Sequence, residues 1–205
     1  LELGCSGEVR RDATFGPGCA GGVGGVARAA AHARAEPDRP VLLVATELCE
    51  LTFQGDDWSK ANFVSTSLFA DGAAAVVVDG TDDRASGRRE GPRIVAEHSV
   101  LWPGTEDTMG FAFTDAGLEV VLDRNVPAIV RDRFADTVDA ACARAGLRRD
   151  ELDHLVFHPG GAKVLDAFVD ALTVAPAAVR RSREVLRHFG NMSAHAVLAI
   201  AAIEI

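Results

Sequence analysis

Residues 15–35, FGPGCAGGVGGVARAAAHARA, set one cysteine between glycines and then continue into a segment made almost entirely of glycine and alanine. Glycine destabilises a helix interior by up to about 1 kcal/mol relative to alanine, so local propensity alone does not favour this sequence. Side chains this small let neighbouring backbones approach closely. We therefore expect a helix that packs deep inside a layered α/β core, with the cysteine at its first turn.

The cysteine of this segment, Cys19, has two interpretations. At a helix N-terminus the dipole favours the thiolate, which predicts a lowered pKa and a nucleophile. The N–H groups of Gly18, Gly21 and Gly22 would then line an oxyanion site. Alternatively, Cys19 is an inert, buried cysteine in a seam of small residues, and this segment alone favours that interpretation.

Apolar runs and turn residues predict the order of the elements. Strands are predicted at 39–47 and 73–80 with a helix between them, which is typical of a largely parallel, covered sheet. The polar segment 81–92 is the predicted internal boundary. Beyond it we expect a strand at 93–102, a β-hairpin around TDAG at 114–117, and a long amphipathic helix from Pro127 to Gly146.

The last third of the chain is predicted to contain a short strand ending at His158, a helix after the following Gly-Gly turn, a second helix ended by Gly190, and a third starting near Asn191. His158 is either presented at the strand end or packed as a core histidine. Asn191 is either an ordinary helix N-cap or a neutral donor to an enolate or thioester oxygen. His195, one turn further on, is left undecided.

Charge and composition restrict the possible partners. With 21 basic and 30 acidic residues the formal net charge is -9, so the sequence offers no basic face for nucleic acid or for a membrane surface. No 18-residue apolar span is present, and we expect a cytoplasmic protein. The four cysteines form no CxxC pair, which indicates reduced thiols and neither a disulfide framework nor a metal site.

Four motifs, GCAGG, LFADGAAAVVV, HPGGAKVLDAF and FGNMSAHAVL, in this order and spacing resemble the type III polyketide synthases, the chalcone-synthase-like branch of the thiolase fold. The resemblance implies an α/β, thiolase-like layered α/β/α/β/α fold that is present only in part. Residues 1–85 would be the end of its N-terminal half, with the nucleophile, and residues 86–205 its C-terminal half.

The resemblance also implies an activity and assigns the three polar residues to it. The Cys–His–Asn triad of the family falls on Cys19, His158 and Asn191. A homodimeric enzyme would load an acyl-CoA starter onto Cys19, decarboxylate malonyl-CoA and extend the chain iteratively. Coenzyme A thioesters would be the substrates, and no metal or redox cofactor is expected.

Further positions match the substrate cavity of the family. Phe69 matches a gatekeeping phenylalanine, although its other interpretation is a simple core aromatic, and Val120 stands where the family has a second phenylalanine. Cys49, Thr52 and Ser193 match cavity walls. The cysteine at position 49 and the LFADG motif resemble bacterial members of the family, which implies alkylpyrone, resorcinol or similar phenolic products.

Lys163 matches a position that contacts coenzyme A, where a lysine would pair with phosphate; otherwise it is a solvated surface lysine. Two other functions remain open. One is an initiating β-ketoacyl-ACP synthase, which shares the fold and triad but typically carries HQAN where this chain has HPGG. The other is a non-catalytic acyl-CoA-binding protein. Since the family's first part and its last strands have no counterpart here, the piece alone is expected to leave apolar surface bare and to be poorly soluble or inactive.

Overall fold

The computed structural model describes residues 4–80, 91–115 and 117–204. These residues form six α-helices, namely α1 (Gly21–Ala35), α2 (Lys60–Leu68), α3 (Val126–Arg144), α4 (Ala162–Leu172), α5 (Arg180–Phe189) and α6 (Ala194–Glu204). They form four strands, β1 (Val41–Glu47), β2 (Gly72–Val78), β3 (Met109–Thr114) and β4 (Gly117–Leu122). Short 3₁₀ turns lie at Gly18–Ala20, Cys49–Thr52, Arg149–Glu151 and Pro176–Val179.

Strands β1 and β2 pair antiparallel, in a register that runs from Val41 opposite Val78 to Glu47 opposite Gly72. The predicted parallel arrangement is therefore wrong. Helix α2 packs on β4 and does not cross the sheet of β1 and β2. The connection from β1 to β2 therefore begins and ends at the same end of these two strands. One face of the pair meets α1 and α6, while Leu42, Val44 and Val77 lie on the opposite face and stay exposed.

The hairpin prediction is confirmed, since β3 and β4 pair antiparallel from Met109 opposite Leu122 to Thr114 opposite Gly117. The strands predicted at 93–102 and at 152–158 are wrong for the residues described. Both segments lack regular structure there, because an extended chain forms a strand only when a neighbouring strand accepts its backbone hydrogen bonds. The predicted boundary at 81–92 lies mostly outside the described residues.

Helix α1 is buried along one face only, which its small residues form, while Val23, Arg28 and His32 on the other face are exposed. Ala29, Ala30 and Ala33 are almost fully buried, and α1 contacts both β1 and α6. The closest approach is at Gly22, where a Cβ atom would lie 1.9 Å from the carbonyl oxygen of Ala194 in α6. Gly22 therefore lets the buried face of α1 touch the backbone of α6.

A larger core lies between α3, α4 and the segment before His158. Phe157 stacks on Phe168 with ring centroids 4.9 Å apart, and Phe134 lies 4.6 Å from Phe168. Helix α5 contacts α4 on this side, and its Val185 joins a second core with α6. Among the described helices, none is long and apolar enough to cross a membrane.

Candidate active site

Cys19 lies in the 3₁₀ turn that leads into α1, where it is half-buried. Burial raises the pKa of its thiol, and the negative charge of Glu47 adds to that shift, while the polar side chains of Ser193 and Asn191, which lie close to the sulfur, oppose it. The expected lowering of the pKa by the helix N-terminus is therefore wrong in this structure. Cys19 sits two residues before α1 begins, and desolvation by burial is the largest cause of the shift in its pKa.

Asn191 is fully buried and is held by its backbone. Its N–H donates to the carbonyl oxygen of Leu68 at 2.8 Å, and its own carbonyl accepts from the N–H of Ala70 at 3.0 Å, which forms an isolated parallel bridge at Phe69. Gly190 permits this docking, since its φ of 75° suits glycine and a Cβ there would lie 3.0 Å from the oxygen of Leu68.

The side chain of Asn191 has one end engaged and one end open. Its Oδ1 accepts from the N–H of Ser193 at 2.9 Å, which closes a tight turn before α6, so it resembles the expected N-cap but stands three residues before the helix. Its Nδ2 lies near enough to Cys19 to affect the thiol, yet makes no hydrogen bond of ordinary length with any described residue. A buried amide donor facing a cysteine is thus left for another acceptor.

His158 follows the buried Phe157 and precedes a Pro-Gly-Gly turn. Burial lowers the pKa of its imidazole to about 4, so the ring is neutral at pH 7. Both ring nitrogens are shielded from solvent, and neither hydrogen-bonds to a described residue, Cys19 included. The turn beyond it reaches α2, because a Cβ at Gly161 would lie 3.9 Å from the side chain of Leu68.

The turn after His158, the backbone of Asn191 and, through its contact with Asn191, Cys19 therefore all lie near the end of α2. Leu68 is the common point, since it binds the backbone of Asn191 and touches the turn that follows His158. Cys19 comes to the same place from α1, through its contacts with Asn191 and Ser193. Residues far apart in the chain thus meet in one buried region.

A cavity of about 390 Å³ opens beside this region. Three predicted cavity residues line it, namely Cys49, Thr52 and Phe69. Glu50, Phe53, Ser65, Thr66, Ala70 and Asp71 complete its wall. Burial, followed by the charges of Glu47 and Asp71, raises the pKa of Cys49 to about 11, which leaves a neutral thiol in the wall.

The other predicted residues lie elsewhere. Val120 is on β4, partly buried, and does not line the cavity. Ser193 stands next to Cys19, in a left-handed conformation with φ of 51°. Lys163 is exposed in the first turn of α4, two residues after Gly161.

Sequence reasoning did not single out Glu47. Its Oε1 accepts from the N–H of Ala194 at 3.3 Å, so it caps the start of α6, and its charge acts on both Cys19 and Cys49. The signal in the sequence that could have identified Glu47 is a carboxylate at the end of an apolar strand, in VATE at 44–47. His195, left undecided above, is 2% exposed, and its ring packs on Gly72 directly opposite Glu47 in the sheet.

Comparison with known proteins gives two family matches. Residues 1–83 match the sequence model of the chalcone and stilbene synthases, N-terminal domain, and residues 93–203 match that of the C-terminal domain. The chain is 38% identical over 202 residues to the 1,3,6,8-tetrahydroxynaphthalene synthase of Streptomyces peucetius subsp. caesius, which covers 98% of the chain and 52% of that protein.

Two further similarities agree with these matches. The chain is 31% identical over 200 residues to the 3,5-dihydroxyphenylacetyl-CoA synthase of Streptomyces toyocaensis, covering 96% of the chain and 51% of the relative. The crystal structure of 1,3,6,8-tetrahydroxynaphthalene synthase from Streptomyces coelicolor A3(2), a bacterial type III polyketide synthase, superposes with a TM-score of 0.88 at 32% identity, over 98% of this chain and 56% of that one. The chain thus spans about half the length of these relatives.

Proposed function

Because the chain belongs to the chalcone and stilbene synthase family and has its thiolase-like fold, we propose that the complete protein is a type III polyketide synthase. It condenses an acyl-CoA starter with malonyl-CoA by repeated decarboxylative Claisen condensation and then cyclises the chain. The observation that carries this proposal is that Cys19 lies close to both Asn191 and the cavity residue Cys49, while buried nitrogens of Asn191 and His158 have no hydrogen-bond partner among the described residues.

In the proposed first step, the sulfur of Cys19 attacks the carbonyl carbon of the acyl-CoA. Because burial raises the pKa of its thiol, the thiol is protonated at pH 7 and a base must take the proton as the new bond forms. The neutral imidazole of His158 is the candidate for this base, once the thioester has entered. Coenzyme A leaves as a thiol after receiving a proton, and the acyl group stays on Cys19.

In the second step malonyl-CoA loses carbon dioxide, and the electron pair of the broken bond remains as an enolate. The enolate oxygen needs donors, and the Nδ2 of Asn191 and one N–H of His158 are the candidates. The enolate carbon then attacks the acyl carbonyl on Cys19 and expels the thiolate. The longer β-ketoacyl-CoA can reload Cys19, which repeats the cycle.

The cavity beside Cys19 is proposed to hold the growing chain. Cys49, Thr52 and Phe69 line it, and we assign Val120 and Ser193 to the same role in the complete protein. Lys163 is assigned to coenzyme A, since its exposed ammonium at the start of α4 suits a phosphate. The proposed products are alkylpyrones, resorcinols or similar phenols.

The remaining proposals concern the organisation of the whole protein. Residues 1–85 and 86–205 are assigned to its two thiolase-like halves, which the family matches at 1–83 and 93–203 support. We propose a homodimer that uses coenzyme A thioesters as substrates and no further cofactor. A cytoplasmic location agrees with four cysteines that are all free thiols.

The proposed function is tested by carbon dioxide release from malonyl-CoA with the complete protein. His158→Ala and Asn191→Ala each remove one donor, and the rate should fall about 100-fold or more. Normal release from either variant contradicts its assigned role. Malonyl-ACP is offered in parallel, and a preference for it over malonyl-CoA would instead indicate a β-ketoacyl-ACP synthase.

A further inference from the structure

Ser182 is a buried hydroxyl that ties helix α5 to the segment carrying His158. It lies in the first turn of α5 and is 2% exposed. Its Oγ donates a 2.8 Å hydrogen bond to the carbonyl oxygen of Phe157, the residue directly before His158. We propose that Ser182 is a positioning residue that sets the orientation of His158, an inference that rests on the function proposed above.

The orientation of His158 depends on its backbone, because no described residue hydrogen-bonds to its ring. Three contacts fix that backbone. Phe157 is locked by stacking on Phe168, and the carbonyl of His158 accepts from the N–H of Gly160 at 2.9 Å. The hydrogen bond from Ser182 adds the link to a separate helix and acts on the peptide unit that joins Phe157 to His158.

The far end of the same helix leads to Asn191. Helix α5 runs for 10 residues, or about 15 Å, and ends at Phe189, after which Gly190 turns the chain into Asn191. A helix is stiff over this length. Through Ser182 near one end and Asn191 after the other, α5 therefore connects the backbone before His158 to Asn191.

A purely structural role for Ser182 makes a different prediction. If the hydroxyl only satisfies a buried carbonyl, its loss lowers stability and leaves the chemistry of the folded enzyme unchanged. If it positions His158, the folded enzyme itself turns over more slowly while substrate binding stays the same. A displacement of about 1 Å in a catalytic group can cost about 100-fold in rate.

The experiment compares three variants of the complete protein in malonyl-CoA decarboxylation. Ser182→Ala removes the hydroxyl, and Ser182→Thr keeps it. Thr137→Ala is the matched control, because it removes a hydroxyl that also donates to a backbone carbonyl, at 3.1 Å, on the exposed side of α3. Each kcat is normalised to the concentration of folded enzyme, measured from the amplitude of its thermal unfolding transition, so loss of folded protein is not counted as loss of rate.

We expect Ser182→Ala to lower kcat by about 10-fold to 100-fold with the KM for malonyl-CoA within about twofold of wild type. Ser182→Thr should recover most of that rate, and Thr137→Ala should match wild type. A normal kcat in Ser182→Ala, or a loss of kcat that Ser182→Thr does not restore, overturns the role of Ser182. If the wild type is active in the same assay, the proposed function still stands. A wild type that releases no carbon dioxide overturns both.

Discussion

Substitution of Gly22 by alanine tests why the segment after Cys19 contains so many glycines. The added Cβ would lie 1.9 Å from the carbonyl oxygen of Ala194, 2.9 Å from its carbonyl carbon and 3.1 Å from Cγ1 of Val197. The first two atoms belong to the backbone of α6 and cannot rotate away. Reaching even a 3.0 Å contact requires α1 and α6 to separate by about 1.1 Å at this point.

The cost follows from two opposing effects. Overpacking a buried contact costs about 1–3 kcal/mol, and a rigid backbone atom places this case at the upper end. Alanine returns about 1 kcal/mol of helix propensity. We therefore expect Gly22→Ala to lower the free energy of unfolding by about 2 kcal/mol. The same shift separates Cys19, just before α1, from Ser193 and Asn191, just before α6, so loading of Cys19 should slow as well.

Gly24→Ala is the internal control, because a Cβ at Gly24 meets no atom within 4 Å. The same change on the same helix should raise stability by about 0.5–1 kcal/mol. Thermal and urea unfolding of the complete protein measure both variants against wild type. The reasoning is refuted if Gly22→Ala is as stable as wild type, or if the two variants shift in the same direction.

Two further predictions concern residues beside the site. Gly72→Ala would bring a Cβ to 2.1 Å from Nε2 of the buried His195, so it should lower the free energy of unfolding by about 2 kcal/mol. In urea unfolding, the double variant with His195→Ala should recover part of that loss. If the effects of the two substitutions simply add, the contact is contradicted. Because the pKa of Cys49 is about 11, only about one thiol in 10⁴ is ionised at pH 7. Iodoacetamide should therefore modify Cys49 slowly at pH 7 and faster as the pH rises, as peptide mapping can follow, and rapid modification at pH 7 would disprove the shift.

The elements that the sequence predicts well are those with local signals. Helix α3 starts with Pro127 in its first turn and ends before Gly146, and the hairpin forms around the predicted turn. The direction of β1 against β2 has no local signal. An apolar run shows that a strand is buried, while its direction depends on whether α2 crosses the sheet or stays at its end, which tertiary packing decides.

In the candidate site too, the features with a local sequence signal could be predicted and those that depend on tertiary packing could not. Each triad candidate sits where a turn meets a helix, so its position could be predicted from glycine and proline, and the family resemblance joined the three. The pKa of Cys19 could not be predicted in this way, because it depends on burial and on the charge of Glu47, which lies at the end of β1. Ser182 was missed as well, since nothing in its own helix signals a partner 25 residues earlier.

The central claim is that Cys19, alone among the four cysteines, carries the acyl group. The direct measurement is intact-protein mass spectrometry followed by peptide mapping, after the complete protein has been incubated with an acyl-CoA. The account predicts one acyl group on Cys19 and none after Cys19→Ala. An acyl group on Cys49 or Cys142, or loading that persists in Cys19→Ala, would contradict it.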